Sequence, residues 1–288
     1  MNWLDLREDQ FDDAIKKADG LCIIPVGCFE MHGQHMPVGS DTYEAIAVAE
    51  KAAEMEPAVV FPAFKFGDVT GLVHFYGSVN LEPELRIDLL ENYCDEIARC
   101  GFDKILLLNY HGGNNPMNGY FTNMMAEKNK DYSVMVCFPA PDVAGEIWPL
   151  VKEGGLDYAP ELLPEDIETM RIFAEEKHQD GHAGFMETSL LLATNPETMK
   201  MERCNVYDGR STHRGEMLEK AGLRNVGTYG MNFPNNFTAY NPWYSNERFG
   251  RLFLRYSAEL AVKAMRAYKE NNHLLVELRE KRRAICGK

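Results

Sequence analysis

The sequence predicts an α/β fold in which helices cover both faces of a mostly parallel sheet. Three apolar runs of strand length, at residues 21–27, 104–110 and 133–138, alternate with longer segments that have helical apolar spacing. This alternation is typical of β-α-β units, whose crossovers are right-handed and whose strands run parallel. The chain has 288 residues, enough to bury a large core, and we expect one domain over residues 1–288.

The first half of the chain predicts regular alternation of strands and helices. Glycines end two of the helices, Gly20 after the first and Gly101 after the third. The predicted elements, in chain order, are a helix at 9–17, a strand at 21–27, a helix at 42–55, a strand at 58–66, a helix at 82–99, a strand at 104–110, a helix to about residue 128 and a strand at 133–138.

The second half predicts less regular structure. Prolines interrupt the pattern after residue 139, so we expect loops and short helices around the mouth of a site. A helical run at 190–193 ends at Pro196, a strand is predicted near 205–207, and a final amphipathic helix at 245–269. The tail at 273–288 is basic and helix-prone, which suits a partner subunit or a frayed end.

Composition narrows the class of protein. The formal net charge is −14, with acidic residues spread along the chain, so binding to nucleic acid is not expected. No apolar run reaches the roughly 18 residues of a membrane helix, and the acidic start of the chain is unlike a signal peptide. We therefore expect a cytoplasmic protein without a membrane partner. The seven cysteines include no C-x-x-C pair and are expected to be reduced; Cys28 is assigned no role in the mechanism.

The stretch from Glu30 to Asp41 follows the first predicted strand and contains two carboxylates and two imidazoles. Alternate residues of an extended chain share a face, so Glu30 and His32 can point together while Met31 points away. Two carboxylates buried beside an apolar strand are costly unless a cation compensates their charge. Imidazole and carboxylate bind divalent metals of intermediate hardness, and Asp41 has two oxygens that can bridge two ions. We predict metal ligands at Glu30, His32 and Asp41, supported by His35.

Two further polar clusters follow later elements. His111 lies at the end of the predicted strand at 104–110, before two glycines that permit close backbone approach. His182 and Glu187 precede the helical run at 190–193. In open α/β sheets, ligands bind at the carboxyl ends of the strands, so these clusters are expected to converge on one crevice with residues 30–41.

Three motifs together resemble the creatininase (creatinine amidohydrolase) family, and they lie in order between residues 25 and 189. The loop at 74–77 also matches. The motifs are specific for the family and leave the substrate open. They read Pro25-Val26-Gly27 with Glu30-x-His32-Gly33-x-His35-x-Pro37-x-x-x-Asp41, then Asn109-x-His111-Gly112-Gly113-Asn114, and then His182-Ala183-Gly184-x-x-Glu187-Thr188-Ser189.

The resemblance implies a three-layer α/β/α fold, assembly as a homohexamer, and two divalent metal ions, zinc or manganese. It also implies cleavage of a C–N amide bond. In the family pattern, Glu30 and His111 hold one ion, His32 holds the other, and Asp41 lies between the two. His182 matches the catalytic histidine of the family.

One position departs from creatininase itself. There the motif after the strand reads N-G-H-Y-E-N, and its glutamate is a metal ligand, whereas this chain has Gly113 at that position. We expect Glu187 to replace the missing ligand and to belong to the catalytic site. The H-G-G-N form occurs in family members that resemble formamide hydrolases or peptide-trimming enzymes, which leaves creatinine itself in doubt.

These residues predict a metal-dependent amidohydrolase that cleaves a small cyclic amide of the creatinine type or a formamide. In this hypothesis a metal-activated hydroxide attacks the amide carbonyl, and His182 protonates the leaving nitrogen. Two alternatives remain: a peptide-trimming metallopeptidase of the same family, and a non-catalytic metal- or ligand-binding protein on this scaffold. Substrate-binding or supporting roles are expected for His35, His74, Tyr76, Asn109, Gly112, Gly113 and Asn114.

Overall fold

The computed structural model of the protein describes residues 1–176, 180–223, 225–238 and 242–286. In these ranges four strands form a parallel sheet with β1 and β3 at its centre. The strands are β1 (Leu21–Val26), β2 (Val59–Val60), β3 (Lys104–Asn109) and β4 (Ser133–Cys137). Their order across the sheet is β2-β1-β3-β4. The predicted parallel α/β architecture is therefore confirmed.

Helices surround the sheet and fill the second half of the described chain. They are α1 (Phe11–Lys17), α2 (Ser40–Met55), α3 (Pro83–Arg99), α4 (Asn115–Glu127), α5 (Trp148–Tyr158), α6 (Pro164–Glu175), α7 (Phe185–Thr194), α8 (Glu216–Lys220), α9 (Val226–Asn232) and α10 (Glu247–Cys286). Most of the helices predicted before residue 139 begin and end within a few residues of these bounds.

The two faces of the sheet bury separate apolar clusters, because successive strand residues point to opposite sides. Cys22 and Ile24 of β1 pack with residues of α1, α3 and α4 on one face. Leu21 and Ile23 pack with residues of α2 and α10 on the other. The result is the α/β/α arrangement of three layers. A third cluster joins α5, α6, α7 and the start of α10 beside the sheet.

Two predicted strands differ from the structure. The strand predicted at 58–66 is regular only at Val59–Val60, although Phe61 and Phe64 still donate backbone hydrogen bonds to β1. The register shifts by one residue along this segment, since Ile23 pairs with Val60 but Val26 pairs with Phe64, so one extra residue interrupts the ladder. The strand predicted near 205–207 was wrong, because turns form there: the N–H of Val206 donates to the carbonyl of Arg203.

The last helix is longer than predicted. The predicted helix at 245–269 and the basic tail form a single helix, α10, that continues to Cys286. Near its end, Arg279, Arg282 and Arg283 donate to backbone carbonyls at the end of α4 and in the following loop. The tail therefore forms a helix that packs on its own chain rather than fraying. No helix in the described ranges is both long and apolar enough to cross a membrane.

The register between β1 and β3 determines where the candidate site lies. Val26, the last residue of β1, pairs with Asn109, the last residue of β3. The loops that follow these two central strands therefore leave the same edge of the sheet side by side, as the carboxyl ends of neighbouring parallel strands must. Helix α7 packs against α2 and α10 and begins near the same edge. Gly250 of α10 permits this approach, since a Cβ there would overlap the backbone of Ser189.

Candidate metal centre

Residues 27–39 connect β1 to α2, and this loop together with the first turn of α2 buries three of the predicted ligands. The N–H of Glu30 donates to the carbonyl of Val38 (2.9 Å), which closes the loop. Gly33 has a φ of 61°, a conformation that glycine adopts without strain, at the turn after His32. Asp41 lies in the first turn of α2, where the helix dipole stabilises a carboxylate. The loop therefore holds Glu30, His32 and Asp41 together in the interior.

The structure brings the predicted ligands into three overlapping groups, each with its potential ligand atoms within 4.8 Å of one another. The first contains Glu30, Asp41 and His111 together with Cys28, the second contains His32, Asp41 and Glu187, and the third contains Glu30, His32 and His182. Asp41 belongs to the first two. Its Oδ1 lies 3.3 Å from Nε2 of His32, and its Oδ2 lies 3.4 Å from Nδ1 of His111. A carboxylate placed in this way suits a bridge between two ions.

The two imidazoles turn a nitrogen lone pair toward the carboxylates. Nδ1 of His32 lies 3.0 Å from the carbonyl oxygen of Glu30, and Nε2 of His111 lies 2.9 Å from that of Asp68. A carbonyl only accepts, so these nitrogens carry a ring proton, and in the neutral imidazoles Nε2 of His32 and Nδ1 of His111 are acceptors. Nε2 of His32 is buried without a hydrogen bond. Acceptors that face carboxylates repel them unless a cation lies between, so the residues fit a divalent metal.

The charges of the cluster are strongly coupled. Burial opposes ionisation of Asp41, but His32 and His111 outweigh it and hold its pKa well below the usual value. Burial likewise opposes the charge of His32, yet Asp41 raises the pKa of His32 to about 10. For Glu30, burial is outweighed by His182 and His111, and its pKa is also well below the usual value. Without a metal ion, protons on the imidazoles must therefore neutralise these carboxylates.

The loop before α7 adds His182 to the cluster, and the first turn of α7 adds Glu187. Nε2 of His182 lies 3.1 Å from Oε2 of Glu30, and the centre of its ring lies 4.0 Å from that of His32, with the two rings tilted by 42°. Glu187 accepts a hydrogen bond from the N–H of Ala183. Burial raises the pKa of Glu187, while the histidines His182 and His32 oppose that rise. The third polar cluster therefore converges on the first two, as predicted from the sequence.

Several of the predicted supporting residues lie behind the cluster rather than at its surface. Nε2 of His35 lies 2.9 Å from Oγ1 of Thr188, and burial followed by the charge of His32 lowers the pKa of His35 to about 4. Asn109 donates to the carbonyl of His111 (2.8 Å) and accepts from Asn114 (3.0 Å). Gly112 and Gly113 line the cavity in front of the cluster. The side chains of His35, Asn109 and Asn114 therefore support the loops that carry the predicted ligands.

His74 and Tyr76 do not reach the candidate centre. Both side chains are exposed to solvent, Tyr76 completely, and neither lines the cavity. The neighbouring Phe75 instead packs toward Val69 and Leu72, which turns the other two side chains outward. His74 and Tyr76 therefore lie away from the cavity, on the surface of the chain.

Asn236 is a buried residue of the centre that was not predicted from the sequence. It donates from Nδ2 to Oε1 of Glu30 (3.1 Å), and its carbonyl lies 2.7 Å from Nδ1 of His182. It comes from a turn with a φ of 46°, which asparagine tolerates better than most residues. No motif surrounds it, and it is far from Glu30 in sequence. Cys28 is also close, with Sγ 2.9 Å from Oδ2 of Asp41.

A cavity of about 1320 Å³ opens in front of the cluster. Glu30, Asp41, His111, His182 and Glu187 all reach it. Much of its remaining wall is apolar or aromatic, and exposed acidic side chains lie at its rim. These wall residues include Leu72, Ile87, Met117, Tyr120, Phe138 and Met186. The cavity is larger than most pockets for small molecules, which measure about 300–1,000 Å³.

Glu44, one turn after Asp41 in α2, is a second buried residue that was not predicted from the sequence. Neither of its carboxylate oxygens has a hydrogen-bond partner in the described structure. Burial raises the pKa of Glu44 well above its usual value, and the charges of Glu187 and Asp41 raise it further. In the unfolded chain this side chain ionises near pH 4.5. The folded protein therefore keeps a proton that the unfolded chain loses above that pH.

We expect the metal-free protein to lose stability from Glu44 as the pH rises above about 4.5, because ionisation then favours the unfolded chain. Glu44→Gln cannot ionise and should be more stable than wild type by about 1–3 kcal/mol at pH 8, with the gain vanishing near pH 4. Denaturant unfolding of the metal-free protein at pH values from 4 to 8 measures this difference in the free energy of unfolding. The exposed Glu84→Gln serves as the control, and an equal gain at both pH values would contradict the prediction.

The fold and the cluster define a class: an α/β protein whose candidate binuclear metal centre lies at the carboxyl edge of a parallel sheet. A model of the creatininase family, described as creatinine amidohydrolase, matches residues 4–264. The chain belongs to the creatininase family, which confirms the resemblance of its motifs.

Three comparisons describe its relatives. The creatinine amidohydrolase of Pseudomonas putida is 26% identical over 217 residues, which cover 69% of this chain and 74% of that protein. The mycofactocin precursor peptide peptidase of Mycobacterium ulcerans (strain Agy99) is 26% identical over 223 residues, 73% of this chain and 72% of that protein. The solved structure "Creatininase Mn" matches with a TM-score of 0.66 at 21% identity, and covers 92% of this chain and 97% of its own. This structural likeness confirms the fold.

Proposed function

We propose that this chain is a metal-dependent amidohydrolase that cleaves a C–N amide bond, with a small cyclic amide or a formamide as substrate. The observation that carries the proposal is the sharing of Asp41 between two ligand groups that open into one cavity. Family membership supports it, since relatives bear the names creatinine amidohydrolase and peptide peptidase. Both names describe cleavage of a C–N bond.

The proposed ligands divide into two sets. Glu30, His111 and Asp41 hold one divalent ion, and His32, Asp41 and Glu187 hold the other. Zinc and manganese are the proposed metals, because both accept imidazole and carboxylate ligands. The name of the similar solved structure "Creatininase Mn" also includes manganese. When bound, such ions polarise the amide carbonyl and make hydroxide available near neutral pH.

His182 is proposed to move the proton. Its Nδ1 is bonded to the carbonyl of Asn236, so Nε2, which faces Glu30 and the cavity, is the nitrogen that gains and loses a proton. From there it can protonate the leaving nitrogen of the amide. Glu187 also lines the cavity, where its carboxylate would complete the second ligand set.

A peptide-trimming activity is the second candidate, and the cavity favours it. A volume of about 1320 Å³ far exceeds what a small cyclic amide fills, and an apolar wall suits the side chains of a peptide. The relative from Mycobacterium ulcerans acts on a precursor peptide according to its name. Both candidates use the same ligands and differ in the size of the group beside the scissile bond.

A substrate screen tests the proposal. Metal-stripped protein is reloaded with zinc or manganese and assayed against creatinine, other cyclic amides, N-formyl compounds and short peptides. The expected result is hydrolysis of at least one class that depends on the added metal. Two bound ions per chain without hydrolysis of any class would instead support a non-catalytic metal-binding protein.

Glu187→Gln tests the replacement of the ligand that is missing at Gly113. We expect the bound metal to fall from two ions to about one per chain, because the second group loses its terminal carboxylate while the first group stays whole. Elemental analysis after dialysis measures this. Glu84→Gln, an exposed acid of the same cavity, should keep two ions. Two ions retained by Glu187→Gln would rule out Glu187 as the replacement.

A further inference from the structure

A backbone carbonyl fixes the orientation of His111. Nε2 of the ring lies 2.9 Å from the carbonyl oxygen of Asp68, in the loop that follows β2. Since the carbonyl accepts, Nε2 carries the proton and Nδ1 presents its lone pair. That Nδ1 lies 3.1 Å from Glu30 and 3.4 Å from Asp41, inside the first ligand group. The carbonyl of Asp68 therefore selects the tautomer in which Nδ1 is the ligand atom.

The Asp68 carbonyl is itself held from several directions. The N–H of Asp68 donates to Oδ1 of Asn114 (2.7 Å), next to the His111 loop. Its carboxylate pairs with Nη1 of Arg86 at 2.9 Å, and this arginine is only 3% exposed. Arg86 also donates to Oδ1 of Asn80 (2.9 Å), further along the same loop. These contacts fix the carbonyl relative to α3 and to the end of β3.

Gly113 leaves the space that this hydrogen bond needs. A Cβ atom at residue 113 would overlap Nε2 of His111 and would lie 2.9 Å from the carbonyl oxygen of Asp68. The adjacent Gly112 is different, because a Cβ there would meet no atom within 4 Å. A side chain at position 113 and the bond between His111 and Asp68 thus exclude each other.

We propose that Asp68 and Arg86 are positioning residues for His111, and that Gly113 is glycine because the His111–Asp68 bond occupies the site of its side chain. The inference rests on the proposed ligand role of His111. It explains why a glutamate at position 113 is incompatible with this centre: the imidazole and the carbonyl already fill that space. Restoring the creatininase motif at this position would displace a ligand rather than add one.

The test compares Gly113→Ala with Gly112→Ala, two identical changes at neighbouring positions. We expect Gly113→Ala to weaken zinc binding about 10–100-fold, the usual cost of losing a partner that orients a metal ligand, and Gly112→Ala to stay within about twofold of wild type. Competition with a chelator of known affinity measures the change. Equal zinc affinity of Gly113→Ala and wild type would overturn the inference.

A spectroscopic readout separates positioning from general damage. In the zinc-loaded wild type, the Nε2 proton of His111 should exchange slowly and appear in the downfield proton spectrum, and Gly113→Ala should lose this signal. If Gly113→Ala fails to fold, Arg86→Gln is tested instead. Arg86→Gln should lose the signal and bind zinc about 10-fold more weakly than wild type. Arg86→Lys should recover part of the signal and part of the zinc affinity. Arg86→Gln with both unchanged would contradict the role of Arg86.

These outcomes are distinguishable from failure of the proposed function. A wild-type protein that binds no zinc would contradict the proposed ligand sets and leave nothing for Asp68 to position. A wild type that binds zinc but hydrolyses no amide would contradict the proposed activity only, because the zinc affinity and the His111 signal do not depend on turnover.

Discussion

Asp41→Asn is expected to remove both metal ions and to lower amide hydrolysis by at least about 1,000-fold. Asp41 is shared by the two ligand groups, and each of its oxygens faces a different imidazole. Asparagine keeps the shape but offers one neutral oxygen, so neither ion retains a charged bridge. If the metal ions no longer stabilise the transition state by several kcal/mol, the rate of hydrolysis decreases by a factor of this size.

The experiment for Asp41→Asn combines elemental analysis with the rate of hydrolysis on the substrate found in the screen. Asp88→Asn is the matched control, since Asp88 is an exposed acid at the rim of the same cavity and belongs to neither group. It should bind two ions and keep its rate within a few-fold of wild type. Two ions retained by Asp41→Asn, or a rate close to wild type, would show that Asp41 does not join the two sets.

The central sheet was predictable because its strands are local signals. The run that became β1 is apolar throughout and the run that became β3 is apolar between Lys104 and Asn109, a pattern typical of strands buried on both faces. β2 was harder, because one extra residue between Val60 and Phe64 interrupts its pairing with β1, while the sequence around it still looks apolar. The extent of α10 depends on the arginines that reach the carbonyls after α4, a contact between distant parts of the chain.

The candidate centre likewise contains residues that could be predicted from the sequence and residues that could not. Glu30, His32 and Asp41 were predictable because a short loop carries all three, and His111 because it ends a clear strand. Asn236 and the carbonyl of Asp68 were not, since one lies far away in sequence and the other is backbone with no side-chain signature. Glu44 escaped because an acid inside an alanine-rich helix is ordinarily read as a solvent-facing residue, whereas here it is fully buried.

His182→Ala is expected to lower kcat about 100–10,000-fold while both metal ions remain bound, the range that general acid–base groups contribute. Nε2 of His182 faces Glu30 and the cavity, while Nδ1 is held by Asn236. Because Glu30, His32 and His182 also form a group of potential ligands, metal content must be measured together with the rate. Loss of an ion would make His182 a ligand instead of a proton donor.

The leaving group distinguishes proton transfer from other losses. If His182 protonates the leaving nitrogen, its removal should matter most for an ordinary amide, whose amine anion is a very poor leaving group. An activated analogue of the same substrate, such as an anilide with an electron-withdrawing ring, needs less help and should lose far less rate. A loss of the same size on both substrates, with two ions bound, would mean that His182 acts on binding or attack rather than on departure of the nitrogen.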